Sequence, residues 1–155
     1  MHELFMRMAL EEAVRSGSDV PVGAVLVHDG QVIARAHNER ETGDYPFAHA
    51  EMLCMQRASE YLHTRRLKDC TLYVTLEPCP MCAGAMVMAQ LGRCVFGAYD
   101  EKQGCCGSVY DLAQDPAFYH RVECLGGVME KECAELLRSF FEKRRMAQQK
   151  NTTLL

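Results

Sequence analysis

The sequence predicts a three-layer α/β/α sandwich on a mixed, mostly parallel five-stranded sheet. Two strand-like runs, Val22–Val27 and Gln31–His37, flank an Asp29-Gly30 pair. Those two residues tolerate the positive φ angles of a tight hairpin. After the hairpin, helical and strand-like segments alternate, the pattern of a sheet covered by helices on both faces. No repeat, low-complexity tract or Pro/Gly/Ser linker interrupts the 155 residues. That length suits one domain, expected over residues 1–150 with 151–155 as a frayed tail.

Each element has its own signature. Met6, Ala9, Leu10, Ala13 and Val14 recur at i, i+3, i+4, i+7 and i+8, a helix with one buried face, and Ser16-Gly17-Ser18-Asp19 ends it. Past the hairpin and a polar loop with Gly43 and Pro46, residues 48–62 read as a helix with Ala50, Leu53, Cys54, Ala58 and Tyr61 inward. Thr71–Leu76 is rich in β-branched and aromatic residues, as strands are. Pro78-Cys79-Pro80 then opens a helix running to about Gln90, where an early proline loses no hydrogen bond. Cys94–Gly97 and Val122–Leu125 are short strands, and Cys133, Leu136, Leu137, Phe140 and Phe141 mark a closing helix.

Composition narrows the function. Hydrophobic residues make up 48% and charged residues 25%, which excludes a disordered chain. The longest clean apolar runs, such as Cys82–Ala89, fall far short of the roughly 18 residues of a membrane helix. Met1-His2-Glu3-Leu4-Phe5 lacks the basic start and apolar stretch of a signal peptide. Nine cysteines cannot all pair within one chain. The expectation is therefore a cytoplasmic protein with thiols that are reduced, buried or bound to metal. A net charge of −4 argues against bulk nucleic-acid affinity, but it is unevenly spread. Between Arg138 and Lys150, five basic residues face Glu142 alone. Such a stretch serves either as an electrostatic foothold for RNA or as a solvated helix end. His63–Lys68 is a second basic patch, with surface solubility as its ordinary use.

His49-Ala50-Glu51 and Pro78-Cys79-Pro80-Met81-Cys82 carry the chemistry. Cysteines three apart at a helix start bring both sulfurs to one side of the first turn, where the helix dipole favours thiolates. A histidine completes the three N/S ligands of a zinc site with one open position. The element order places both helix starts at one edge of the sheet, where α/β proteins hold ligands. Residues two apart on a helix diverge by about 200°, so His49 and Glu51 share a site only by straddling a helix entrance. A structural zinc knuckle or a redox pair would use the same C-x-x-C, and a fourth ligand from Cys70, Cys94, Cys105 or Cys106 would close the site. Glu51 favours catalysis, because a carboxylate beside an open zinc position suits water activation; its ordinary alternative is a solvated first-turn residue.

The paired motifs match the His-x-Glu and Pro-Cys-x-x-Cys signature of zinc nucleobase deaminases. With Pro21–Val25, Ala36–Asn38, Ala48–Glu51, Thr75–Met86 and Val95–Ala98, residues 2–147 resemble the bacterial tRNA-specific adenosine deaminases. The resemblance implies the cytidine-deaminase-like fold and one zinc per subunit, bound by His49, Cys79, Cys82 and a water. It implies Glu51 as the catalytic proton carrier, and hydrolysis of adenosine to inosine at the wobble position of an arginine tRNA anticodon loop. Asn38 matches a purine-binding position, though a turn asparagine bonding its own backbone is the common case. Val20, Pro21 and Val22 would wall the base pocket, or simply pack in the core. Asp100 would touch the RNA at the rim, or be a solvated loop residue. The family further implies a homodimer, with no organic cofactor and no membrane association. Cys105-Cys106 departs from the small residues of relatives and reads as buried small hydrophobes, or as an oxidisable pair if exposed. Two alternatives stay open: a free guanine or cytosine deaminase of the same superfamily, and a non-catalytic zinc-stabilised RNA-binding module.

Overall fold

Asp29 and Gly30 make the turn their residue types favour, with φ of 50° and 74°. They reverse the chain from β1 (Gly23–His28) into β2 (Gln31–His37), paired antiparallel. The computed structural model describes residues 1–153. The other elements are α1 (His2–Val14), α2 (Ala50–Leu62), β3 (Cys70–Leu76), α3 (Pro80–Met88), β4 (Arg93–Ala98), β5 (Glu123–Leu125) and α4 (Glu130–Thr153). The sheet order is β2-β1-β3-β4-β5. The mixed, mostly parallel five-stranded sheet agrees with the sequence reading. β2, β3, β4 and β5 run in one direction, and β1 alone runs against them, pairing antiparallel with both β2 and β3.

Strand alternation sorts the core into two halves. Val25, Val27, Tyr73 and Val95 pack against Phe5, Met6 and Ala9 of α1 and Cys133 of α4. Ala24, Leu26, Leu72, Val74, Cys94 and Phe96 pack against α2 and α3 on the other face. Gly23 fixes how closely α1 lies on the sheet: a Cβ there would stand 2.0 Å from the Ala9 carbonyl oxygen and 2.4 Å from the Ala13 nitrogen. Backbone atoms of a packed helix yield little, so Gly23→Ala is expected to cost about 1–3 kcal/mol, the usual range for overpacking. Urea denaturation checks this, and an unchanged midpoint would show that α1 is free to shift.

Several predicted faces are less buried than their periodicity implies. Val14 and Tyr61 are exposed although Ala13 beside the one is buried and Leu62 beside the other packs on the core, so each lies off the covered face of its helix. Along α4 only Cys133 is fully buried, and Phe141 is exposed. At 1.5 Å per residue, a 24-residue helix outruns strands of six or seven residues by a wide margin. The frayed tail expected from residue 151 is helical through Thr153, since nothing between Asn151 and Thr153 breaks a helix already formed; Leu154 and Leu155 lie outside the described residues. Cys105 and Cys106 are buried, as small hydrophobes should be. No helix among the described residues is long and apolar enough to cross a membrane.

Candidate active site

The two helix starts meet where the element order places them. His49 is the N-cap of α2 in extended conformation, and Glu51 lies in that helix's first turn. Cys79 is the N-cap of α3, Pro80 opens it, and Cys82 follows one turn on. His49 and Glu51 thus straddle the helix entrance, the one arrangement that lets residues two apart serve a common site.

The imidazole Nδ1 of His49 lies 3.6 Å from Cys79 Sγ and 3.5 Å from Cys82 Sγ. Tetrahedral zinc, with Zn–N near 2.05 Å and Zn–S near 2.3 Å, sets nitrogen and sulfur roughly 3.6 Å apart. The donor set and its spacing therefore fit zinc. Among the described residues this is the one group of three ligand-type side chains gathered within 4.8 Å. Cys70, Cys94, Cys105 and Cys106 stand outside it, so no fourth side chain closes the site. Among the three donors, Cys79 is the one whose surroundings favour the anion. The Cys82 thiol hydrogen-bonds Cys79, and with His49 it holds the Cys79 thiol down to about 4 against the opposing effect of burial. That same bond and burial push Cys82 up. Hydrogen bonding to Cys79 raises His49. Glu51 is buried, and desolvation lifts its carboxyl above the usual carboxylate range.

Neither capping histidine nor capping cysteine spends its side chain on its helix. For α2 the cap comes from elsewhere. Asn38, just past β2, accepts a hydrogen bond from the Ala50 N–H at 2.9 Å and donates one to the Val20 carbonyl at 3.0 Å. His49 is thereby left for metal. Asn38 also lines the cavity, and its second amide N–H and second oxygen lone pair have no partner among the described residues. Asn38→Ala strands the buried Ala50 N–H, so a loss of about 1–3 kcal/mol is expected, together with weaker zinc retention. Zinc analysis after gel filtration, beside thermal melting, checks both; normal zinc content in a stable protein would contradict the capping role.

Asn38, His49, Glu51 and Cys79 line a cavity of about 230 Å³, and Cys82 is buried outside the lining. Val20 and Val22 line one wall, and Asp100 with Gln103 reaches it from the loop after β4. Pro21, expected in that wall, is buried and absent from the lining, because adjacent residues of an extended segment face opposite ways. Several lining residues escaped the motif reading. Arg40 and Glu41 come from the loop after β2, and Arg144 comes from α4. Arg144 reaches Glu41 at 3.1 Å and stacks over Phe140 at 5.7 Å, so part of the basic C-terminal stretch overhangs the cavity. Asp19 holds the intervening loop by accepting from the Glu41 and Thr42 N–H groups and the Thr42 hydroxyl. Burial alone would raise the Asp19 carboxyl, but those bonds outweigh it and keep the group below its ordinary value. Only the departure of charge density from the chain average could have pointed to Arg144, and only as part of a stretch.

A family model described as the cytidine and deoxycytidylate deaminase zinc-binding region matches residues 1–98. The tRNA-specific adenosine deaminase of Bacillus subtilis (strain 168) is 49% identical over 154 residues, covering 96% of each chain. That of Aquifex aeolicus (strain VF5) is 43% identical over 145 residues, 92% of this chain and 95% of the relative. A solved structure from studies of A-to-I editing by tRNA:A34 deaminases at the wobble position superposes with a TM-score of 0.81 at 44% identity, over 86% of this chain and 99% of that one. With a His/Cys/Cys cluster above a buried glutamate and this likeness along nearly its whole length, the chain belongs to the zinc-binding deaminase family, in the group of the tRNA-specific adenosine deaminases.

Proposed function

We propose that this chain is a hydrolase that converts adenosine to inosine at the wobble position of a tRNA anticodon loop, with an arginine tRNA as the expected substrate. The observation that carries the reading is the buried Glu51 beside an open three-ligand cluster at the floor of a cavity overhung by Arg40 and Arg144. His49, Cys79 and Cys82 would hold zinc, which when bound supplies a Lewis acid that lowers the pKa of a water from 15.7 towards about 7. Glu51 does the proton work. Its desolvated carboxylate takes one proton of the attacking water and delivers it to N1 of adenine as the C6–O bond forms; it then carries the proton of the added hydroxyl to the amino group, so that C6–N breaks, C6 becomes a carbonyl and ammonia leaves. Asn38 borders the base, Val20 and Val22 give it apolar walls, and Asp100 meets the nucleotide at the rim. Pro21 acts from behind the wall by packing. An unpaired loop base enters without the few kcal/mol that extraction from a duplex costs.

The deaminase domain spans residues 1–150, works in the cytoplasm and acts as a homodimer without an organic cofactor. What supports the dimer is an apolar hollow of about 280 Å³ between α2 and α3, bordered by Tyr45, Phe47, Met52 and Leu53, with Met88 exposed on α3. Sedimentation at micromolar concentration should give twice the 17.5 kDa chain mass; a monomer would sink the dimer. The reaction itself is tested by incubating the zinc-loaded protein with an anticodon stem-loop and, separately, with free guanine, cytosine and adenine. Ammonia is expected from the RNA alone. Release from a free base, with none from RNA, would favour the free-base deaminase instead.

A further inference from the structure

Glu77 is 2% exposed, and the proton transfers above make no use of it. No Lys, Arg or His pairs with it among the described residues. Its carboxylate is instead wrapped by one loop. Oε1 accepts from the Asp100 N–H at 3.1 Å and from the Ser108 hydroxyl, while Oε2 accepts from the Cys106 N–H at 3.1 Å and the Ser108 N–H at 3.0 Å. A carboxylate is the side chain with acceptor sites for four such donors and no hydrogen to oppose them. The loop is shaped to admit it: a Cβ on Gly104 would stand 2.3 Å from the Glu77 carboxyl carbon. The same loop carries two cavity residues, Asp100 and Gln103, tied together because Asp100 Oδ1 accepts the Gln103 N–H at 3.1 Å. On its other side Glu77 is joined through Pro78 to Cys79, and the Pro78 carbonyl accepts the Cys105 N–H at 2.8 Å.

We propose that Glu77 is a positioning residue for substrate binding: its carboxylate replaces secondary structure as the organiser of residues 100–108 and so sets the Asp100–Gln103 rim over the cavity floor. The proposal rests on the deaminase reading above and adds to it a residue that shapes how the nucleotide is gripped, without touching the reacting atoms. In Glu77→Gln the amide group points hydrogens at donors, so the loop loses its centre while the metal ligands keep theirs. The KM for the stem-loop is expected to rise on the order of tenfold, the range lost with a hydrogen bond to a charged group. Zinc content and kcat should stay near wild type.

Three experiments on the whole 155-residue chain test this. Hydrogen exchange at the amides of Asp100, Cys106 and Ser108 should quicken in Glu77→Gln while β1 and β3 stay protected. In a cycle with Asp100→Ala, the double variant should be no worse in kcat/KM than the more impaired single one, as expected for groups acting through each other. Gly104→Ala and Ser108→Ala, which disturb the carboxylate from the loop side, should repeat the exchange and KM signature even if Glu77→Gln fails to fold. Unchanged exchange in the folded variants, additive effects in the cycle, or a loss carried by kcat and zinc content would each overturn the proposal. Wild-type protein inactive on RNA would defeat the function proposed above, while the exchange experiment would still decide the role of Glu77.

Discussion

Glu51→Gln is expected to lower kcat on an anticodon stem-loop by about 10⁴-fold, the upper end of what a positioned proton carrier supplies. The upper end applies because in the proposed mechanism one carboxylate serves successive transfers, to N1 and then to the amine. Glutamine keeps the volume and still accepts a hydrogen bond, but it takes no proton at neutral pH. Glu51 is 4% exposed, so solvent has poor access to substitute for it. Zinc content and melting temperature should hold, since the three proposed ligands are untouched. The direction of its pKa sets the pH response. Burial raises the group, so on acidification it fills with a proton earlier than an ordinary glutamate, and activity should fall on the acid side from that raised value. Stem-loop kinetics across pH measure both effects. Near-wild-type turnover by Glu51→Gln would remove the proposed mechanism.

Cys82→Ser is expected to abolish zinc retention and bring activity to background. Cys82 is fully buried at the first turn of α3, and serine offers a harder, poorly ionised oxygen in place of the thiolate. The loss extends to stability. Ligand bound only by the folded state adds about 4 kcal/mol at a thousandfold excess over its Kd, so zinc should raise the melting temperature of the wild type and leave that of Cys82→Ser unchanged. Acid should release the metal as well. With Cys79 held down to about 4 in the metal-free protein, its thiolate is present at neutral pH and lost as pH falls through that value. Chelation followed by zinc should restore activity to the wild type. X-ray absorption on bound zinc should report one nitrogen and two sulfurs with a light fourth ligand; four protein ligands would turn the site structural.

The parts of this site that lie in contiguous motifs were legible in the sequence. His49-Ala50-Glu51 and Cys79–Cys82 each sit within one helical turn, and the order of elements was enough to bring the two turns together. The hairpin was equally open to reading, because Asp29-Gly30 acts through local backbone preference. Long-range contacts were not. The Arg144–Glu41 pair spans 103 residues, and nothing in either neighbourhood announces the other. Glu77 stood inside a recognised motif, yet its four donors come from a loop with no regular spacing. The solvent-facing stretch of α4 shows the converse limit: periodicity marks which side of a helix is apolar, not whether the chain supplies a surface to cover it.

The proposed function is hydrolysis of one adenosine, in RNA, at the site of His49, Glu51, Cys79 and Cys82. Its most direct test is product analysis of a stem-loop with a single adenosine at the wobble position, incubated with zinc-loaded protein in water enriched in heavy oxygen. The expected result is one inosine at that position, one solvent-derived oxygen at C6 and one ammonia per event, all absent with Glu51→Gln. An RNA that stays adenosine, or ammonia released without solvent oxygen at C6, would contradict it.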